Sequence, residues 1–247
     1  METKVGTLNL LPFSDRKTGN LSELSIYNLG VRVLHLETAE STQDECFRLL
    51  EECGAVAVRA DVQTKGRGRQ GSRWYSPPGG LWLSVGLVGA DGLACAVAGP
   101  VAVCEALAPY LPSPALIRPP NDVMHSGKKL AGILVEKRGD MVVTGFGINL
   151  YQEVFPPDLN AVSLKQLGGS GFTLERVAER VMSGFTGLLE MPLSAIISRY
   201  NESLMGLGKR VRVGDAEGTL RGLSAEGFVI GDRIVPMGRF TGMEIAE

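Results

Sequence analysis

Residues 63–74 read Gln-Thr-Lys-Gly-Arg-Gly-Arg-Gln-Gly-Ser-Arg-Trp, and Lys65, Arg67, Arg69 and Arg73 place four cations within nine residues. Gly66, Gly68 and Gly71 are interleaved with them. Arginine grips phosphate or carboxylate through a planar fork, and glycine lets a backbone come close to a ligand. A loop made of both is suited to folding over a polyanion. On its own it reads equally well as a solvated basic turn or as an Arg-Gly segment that touches RNA.

The spelling Gly66-x-Gly68-x-x-Gly71 also matches the dinucleotide fingerprint, with Asp91 where that fingerprint expects an acid. The fingerprint needs a helix opening at its glycines. Here a strand-like Ala55–Arg59 precedes the loop, and Trp74-Tyr-Ser-Pro-Pro-Gly-Gly80 follows it. Beyond that, Leu81, Leu83, Val85 and Leu87 share one face of a second strand, with Trp82 and Val88 on the other. The unit is strand, loop, strand, which excludes a Rossmann site.

Three further segments carry chemistry. In Arg118-Pro-Pro-Asn-Asp122, two prolines stiffen the backbone ahead of an amide and a carboxylate. Asn121 there can read a base edge or fix a turn, and Asp122 can orient Mg²⁺ or cap. Gly127-Lys-Lys-Leu-Ala-Gly-Ile-Leu-Val-Glu136 delivers two lysines at the mouth of an apolar strand, where Gly132 allows a ligand to lie flat. The plainer reading is a solvated strand start. Gly145-Phe-Gly-Ile-Asn-Leu150 ends another strand with two glycines and Asn149.

The elements that position these residues can be read from pattern. Residues 1–30 are polar and aperiodic, an expected N-terminal arm. Val31–Leu36 alternates as a strand, and Thr42-x-x-Glu45 reads as a capping box for a helix stopped by Gly54. A helix near Leu93–Tyr110 contains or is divided by Pro100, and Lys137-Arg-Gly-Asp140 joins two strands as a hairpin. Thr173 caps a helix whose Leu174, Val177, Val181, Phe185 and Leu188 recur at helical spacing, and another helix is expected over Ser194–Met205. From Lys209 short alternating strands take over. The expected class is α+β: a mixed or antiparallel sheet packed with helices over 31–205, and a small SH3-like β-barrel module over 206–247.

A net charge of −2 argues against a broad nucleic-acid surface, so any basic site must be local. Cys46, Cys53, Cys95 and Cys104 fit no zinc or redox spacing and read as buried free thiols, which suits a reducing cytosol. The apolar run from Leu81 is broken by Asp91 and Glu105, with only 13 uncharged residues between them, too few to span a bilayer. With no signal peptide at the start, the expected compartment is the cytoplasm. Trp82 and the strand from Leu81 read either as core or as an edge that pairs with a second copy in a homodimer.

Gln63–Trp74, Pro120–Asp122, Gly127–Glu136 and Gly145–Leu150, with Ser41-Thr42 ahead of the first helix, together resemble biotin–protein ligase in order and spacing. The resemblance covers about residues 31 to 240 and is to the single-function form that lacks a DNA-binding repressor domain. It implies a biotin–[acetyl-CoA-carboxylase] ligase using ATP and Mg²⁺. Such an enzyme makes biotinyl-5′-AMP and passes biotin to a lysine of a biotin carboxyl carrier protein, binding neither DNA nor membrane. It further implies that Arg67 and Arg69 bracket carboxylate and phosphates, and that Lys129 bridges the biotin carboxylate and the α-phosphate. Ser41, Thr42 and Gln63 would bond the ureido ring, while Gly66 and Gly132 let backbone close on the ligand. Trp74 would support the closed loop or the adenine, Asn121 and Asn149 would face the nucleotide, and Asp122 would lie near Mg²⁺. His35 and His125 receive no role. The basic loop is expected to be mobile when empty and ordered when filled.

Three positions depart from the family: Arg118 for Lys, Pro119 for Trp and Gln43 for Asn. Losing the aromatic removes packing area on the nucleotide side and is expected to loosen ATP. A lipoate or other acyl-acid ligase is the alternative within the superfamily, but its usual Arg-Arg-x-Ser-Gly-Gly-Gly element is absent. A non-catalytic biotin or nucleotide sensor is the alternative outside it.

Overall fold

Strand alternation sets out the sheet. A computed structural model of the chain describes residues 22–24, 31, 33–240 and 242–245. In chain order the first strands are β1 (Ser22–Leu24), β2 (Val33–Ala39), β3 (Ala55–Gln63) and β4 (Gly80–Val88). Then come β5 (Leu116–Arg118), β6 (Asp122–His125), β7 (Lys128–Arg138) and β8 (Met141–Asn149). They form one eight-stranded sheet ordered β1-β2-β3-β4-β8-β7-β6-β5. The β2–β3 pair is parallel, because the helix α1 (Thr42–Leu50) carries the chain across between them. The neighbouring pairs are antiparallel. The arm expected over 1–30 lies outside the described residues except for β1, which pairs with β2.

The two faces of β4 divide the molecule. Leu81, Leu83, Val85 and Leu87 join the main core, under α2 (Gly92–Leu107) and α3 (Leu174–Leu189). The opposite face carries Ser84 and Gly86, with α1 on top: a side chain at Gly86 would meet Leu50 and the Cys46 sulfur within 2.8 Å. Because β4 lies between β3 and β8, it has no free edge, so the edge-to-edge pairing considered for it does not occur. The strand belongs to the core instead.

α2 runs through Pro100 without a break, and Asp91 caps it by accepting from the Leu93 and Ala94 amides. Against the expectation from the spacing of Asp91 and Glu105, Gly92–Tyr110, which includes the 3-10 turn that follows α2, is long and apolar enough to cross a membrane, because a single Glu105 does not offset its apolar residues. Most of it is buried against the sheet, α3 and α4 (Leu193–Glu202). Cys46, Cys95 and Cys104 are buried thiols, and burial pushes Cys95 up to about 11 and Cys104 up to about 12. Cys53 is only half-buried, against the expectation, and its thiol donates to the Leu49 carbonyl at 3.2 Å. Thr173 caps α3 as expected, accepting from the Arg176 amide.

A second sheet follows, antiparallel and five-stranded: β9 (Arg210–Val213), β10 (Ala216–Leu223), β11 (Phe228–Ile230), β12 (Arg233–Val235) and β13 (Glu244–Ile245). It is tied to α4, where the Asn201 amide both donates to the Leu223 carbonyl and accepts from its N–H. Phe240 packs against Phe228 at 4.5 Å between ring centroids. The class is the expected α+β.

Phe185 locks α3 to the sheet through an edge contact with Phe146, centroids 5.2 Å apart. Phe185→Ala should therefore cost roughly 3–5 kcal/mol of stability in urea titration. A loss below about 1 kcal/mol would contradict this packing.

Candidate active site

The polar face of β4, the basic loop and the β7–β8 hairpin enclose a cavity of about 330 Å³. Every residue singled out for the site in the sequence lines it except Gly66. The loop is itself a small hairpin. Arg67 and Arg73 form an antiparallel bridge, Trp74 N–H donates to the Gly66 carbonyl at 2.9 Å, and Arg69–Gly71 makes a 3-10 turn at the tip. No α-helix opens at its glycines, as the strand-loop-strand reading requires.

One end of the cavity is neutral and hydrogen-bonded. Ser41, Thr42 and Gln43, at the start of α1, are all buried, as is Ser84 on β4. Gln63 Oε1 accepts from the Thr42 amide (2.9 Å) and the Thr42 hydroxyl (3.0 Å). Since the Thr42 hydrogen goes to Gln63, Ser84 donates in the 2.8 Å Ser84–Thr42 contact. The capping box expected at Thr42 is absent. Ser41 holds the cap position but makes no side-chain cap bond, and its hydroxyl accepts from Arg67 at 3.1 Å.

The other end is cationic. Lys129 Nζ pairs with Asp122 at 2.6 Å and stands 4.8 Å over the Trp74 ring. Arg118 takes the second Asp122 oxygen at 2.6 Å. Arg69 donates to Asn121 Oδ1 at 3.4 Å and to the Phe240 carbonyl at 3.0 Å. Asp122 is thus a single carboxylate shared by two cations, and no group of three or more metal-ligating side chains occurs among the described residues. These residues do not make a protein-built Mg²⁺ site. Mg²⁺ would be held mainly by substrate phosphates and water, with Asp122 the one carboxylate at this end of the cavity.

The partners of these side chains within the protein follow from the geometry. Arg67 does not face the cationic end: Asp44 holds it at 2.6 Å and Glu136 at 2.8 Å. These carboxylates, the hydrogen bond to Asp44 foremost, push the guanidinium's already high pKa up further, and Arg67 in turn holds the Asp44 carboxyl below its ordinary 3.8. The Asn149 amide donates to the Lys129 and Val162 carbonyls, both at 3.2 Å, and Asn121 donates to the Ile133 carbonyl at 2.7 Å. Both amides fix backbone, that of Lys129 in particular. A side chain at Gly66 would strike Ser76 Oγ at 2.6 Å and the Trp74 carbonyl at 2.9 Å, so the hairpin itself demands that glycine. At Gly132 the flat occupant is Trp74, whose ring lies 2.8 Å from where a Cβ would be. Its indole N–H is buried and finds no acceptor among the described residues.

Glu136, Asp44, Ser84 and Gly147 were not singled out as site residues. Glu136 ended a quoted motif and Gly147 lay inside another, but nothing in a single sequence pairs a strand-end glutamate with a loop arginine 69 positions away.

Residues 37–151 match the biotin/lipoate A/B protein ligase family. The chain is 34% identical over 171 residues to the biotin–[acetyl-CoA-carboxylase] ligase of Mycobacterium tuberculosis, the match covering 64% of each chain. It is 30% identical over 224 residues to the bifunctional ligase/repressor BirA of Escherichia coli, covering 81% of this chain and 69% of that one. The chain belongs to the biotin–protein ligase family. Among solved structures, the biotin protein ligase from Aquifex aeolicus in complex with biotin and ATP superposes with a TM-score of 0.75. That match is 28% identical and covers 87% of this chain and 99% of the other. In this member of the biotin–protein ligases, the Gln43 side-chain amide donates to Glu136 at 2.7 Å. It thereby ties the neutral end to the Arg67 ion pairs.

A Cβ at Gly147 would sit 2.5 Å from the Trp74 indole. Gly147→Ala should therefore lift Trp74 off the sheet. Trp82, the other tryptophan, is fully buried, so a red shift and stronger acrylamide quenching would report Trp74 alone. Unchanged emission and quenching would contradict the contact.

Proposed function

We propose that this protein activates biotin with ATP to biotinyl-5′-AMP and transfers it to a lysine of a biotin carboxyl carrier protein. The observation that carries the reading is the two-ended cavity. Buried hydroxyls and an amide at one end suit a ureido ring, while Lys129 and Arg69 at the other suit carboxylate and phosphates. A lipoyl dithiolane has no polar edge to offer the neutral end, where Gln43 Oε1 is buried with no partner among the described residues, and leaving such a group unpaired is costly.

In the first step a biotin carboxylate oxygen attacks the α-phosphorus of ATP, and the bond to the bridging oxygen breaks to release pyrophosphate. Such transfer depends on positioning and charge neutralisation more than on a general base. Lys129 lies where it can follow the carboxylate as it becomes the anhydride, exchanging Asp122 for substrate oxygens. Arg69, steadied by Asn121 and the Phe240 carbonyl, is placed to take phosphate charge. Asn149 holds the Lys129 backbone while this happens. In the second step the neutral ε-amine of the carrier lysine attacks the acyl carbon, AMP leaves, and the amide forms with loss of a proton. The Trp74 indole, lying over Gly132 and Gly147, shields the anhydride from water between the two steps.

Incubation with biotin and Mg-ATP should yield biotinyl-AMP by mass spectrometry, and labelling when a carrier domain is added. Lys129→Ala should lower the rate of adenylate formation about 10²–10³-fold. Failure of the unaltered protein to form the adenylate would overturn the reading. So would a Lys129→Ala variant of undiminished rate.

A further inference from the structure

Arg67 sits in a cavity suited to anionic substrates, yet its charge is spent within the protein. Its five N–H groups are all engaged. Nε donates to Glu136 at 3.1 Å, Nη1 to Asp44 at 2.6 Å and to Ser41 Oγ at 3.1 Å, and Nη2 to Asp44 at 2.9 Å and to Glu136 at 2.8 Å. The two carboxylates come from different elements, α1 and β7, and each is itself held. Arg138 donates to Asp44 at 3.1 Å, and Gln43 donates to Glu136 at 2.7 Å. No N–H of Arg67 remains for a substrate without breaking one of these bonds.

The consequence reaches Ser41. A hydroxyl that accepts from a guanidinium keeps its own hydrogen to donate elsewhere. Among the described residues Ser41 Oγ has no hydrogen-bond partner but Arg67, from which it accepts, so that hydrogen is available to the neutral end of the cavity, which Ser41 lines. Arg67 also anchors the basic hairpin, being the residue bridged to Arg73 across it.

We propose that Asp44 and Glu136 are positioning residues that fasten Arg67, and with it the basic hairpin, so that Ser41 is presented as a hydrogen-bond donor to the ring of the bound acid. This rests on the biotin-activating function proposed above. The clasp sets the affinity for biotin rather than the chemistry at the phosphate, because it lies at the end of the cavity away from Lys129.

The test uses the full chain with Asp44→Asn, Glu136→Gln and their combination, together with Arg67→Lys, which keeps the charge but offers three donors from one atom in place of the five forked donors engaged here. The double variant and Arg67→Lys should raise KM for biotin about tenfold to a hundredfold, the range expected for lost charge-assisted hydrogen bonds, and change kcat less than about threefold. Trypsin should cut the hairpin at its Lys and Arg residues at least about fivefold faster in these variants, measured where the protein stays folded. An unchanged KM overturns the positioning of Ser41, and an unchanged cleavage rate overturns the fastening of the hairpin. A kcat loss with KM intact also overturns the proposal, since it would place Arg67 at the reacting atoms. If the unaltered protein forms no biotinyl-AMP, the functional reading fails, and the trypsin comparison alone decides whether the clasp exists.

Discussion

The indole of Trp74 occupies the space where two side chains would otherwise stand. Gly132 on β7 and Gly147 on β8 are register partners, and a Cβ at either would meet the ring at 2.8 or 2.5 Å. Glycine inside strands weakens a sheet, by roughly 0.5–1 kcal/mol per position relative to alanine in regular structure. The molecule accepts that cost at paired positions, and the result is a flat floor. Trp74 on this floor ends the basic hairpin, so the floor also sets where Arg67 and Arg69 can reach. Lys129, over the same ring, completes the arrangement.

From this contact the cavity acquires its two ends. The neutral end is built by giving up ordinary helix chemistry. Ser41 occupies the cap position of α1 but turns its hydroxyl to Arg67, and Thr42 turns inward to Gln63 and Ser84. A missing cap typically costs on the order of 1 kcal/mol. The cationic end is built on backbone ties instead. Asn121 and Asn149 spend their amide hydrogens on the Ile133, Lys129 and Val162 carbonyls, and the buried Tyr200 donates to Pro120 at 2.9 Å. These ties hold the Pro-Pro-Asn-Asp turn and the start of β7 rigid beneath Lys129 and Asp122.

The fold was legible wherever a local pattern carried it. Alternation placed Leu81, Leu83, Val85 and Leu87 on one face, and helical spacing with a Thr173 cap placed α3. Pattern failed at Thr42, whose capping-box spelling was overruled by a tertiary partner, Gln63, on the end of β3. It also left open whether β4 was core or edge, because strand order depends on pairings distant in sequence. In the site, the motifs supplied most of the lining, but not Ser84 or the wall made by Phe155, Leu159, Asn160 and Ala161, and not what each residue touches. Arg67 looked like a substrate ligand because its type and spacing are those of one. Only three-dimensional proximity reveals that Asp44 and Glu136 occupy its donors. Gly66 and Gly132 were likewise recognised as necessary, yet the groups that crowd them are Ser76 and Trp74.

The central claim is that the two ends of the cavity orient biotin, ring toward Ser41, Thr42 and Gln63, and carboxylate toward Lys129. A crystal structure of the protein soaked with biotin tests it most directly. The account predicts ureido atoms at hydrogen-bonding distance, about 3 Å, from that neutral cluster and the carboxylate facing Lys129. Biotin bound in the reverse sense, or outside the cavity altogether, would contradict it.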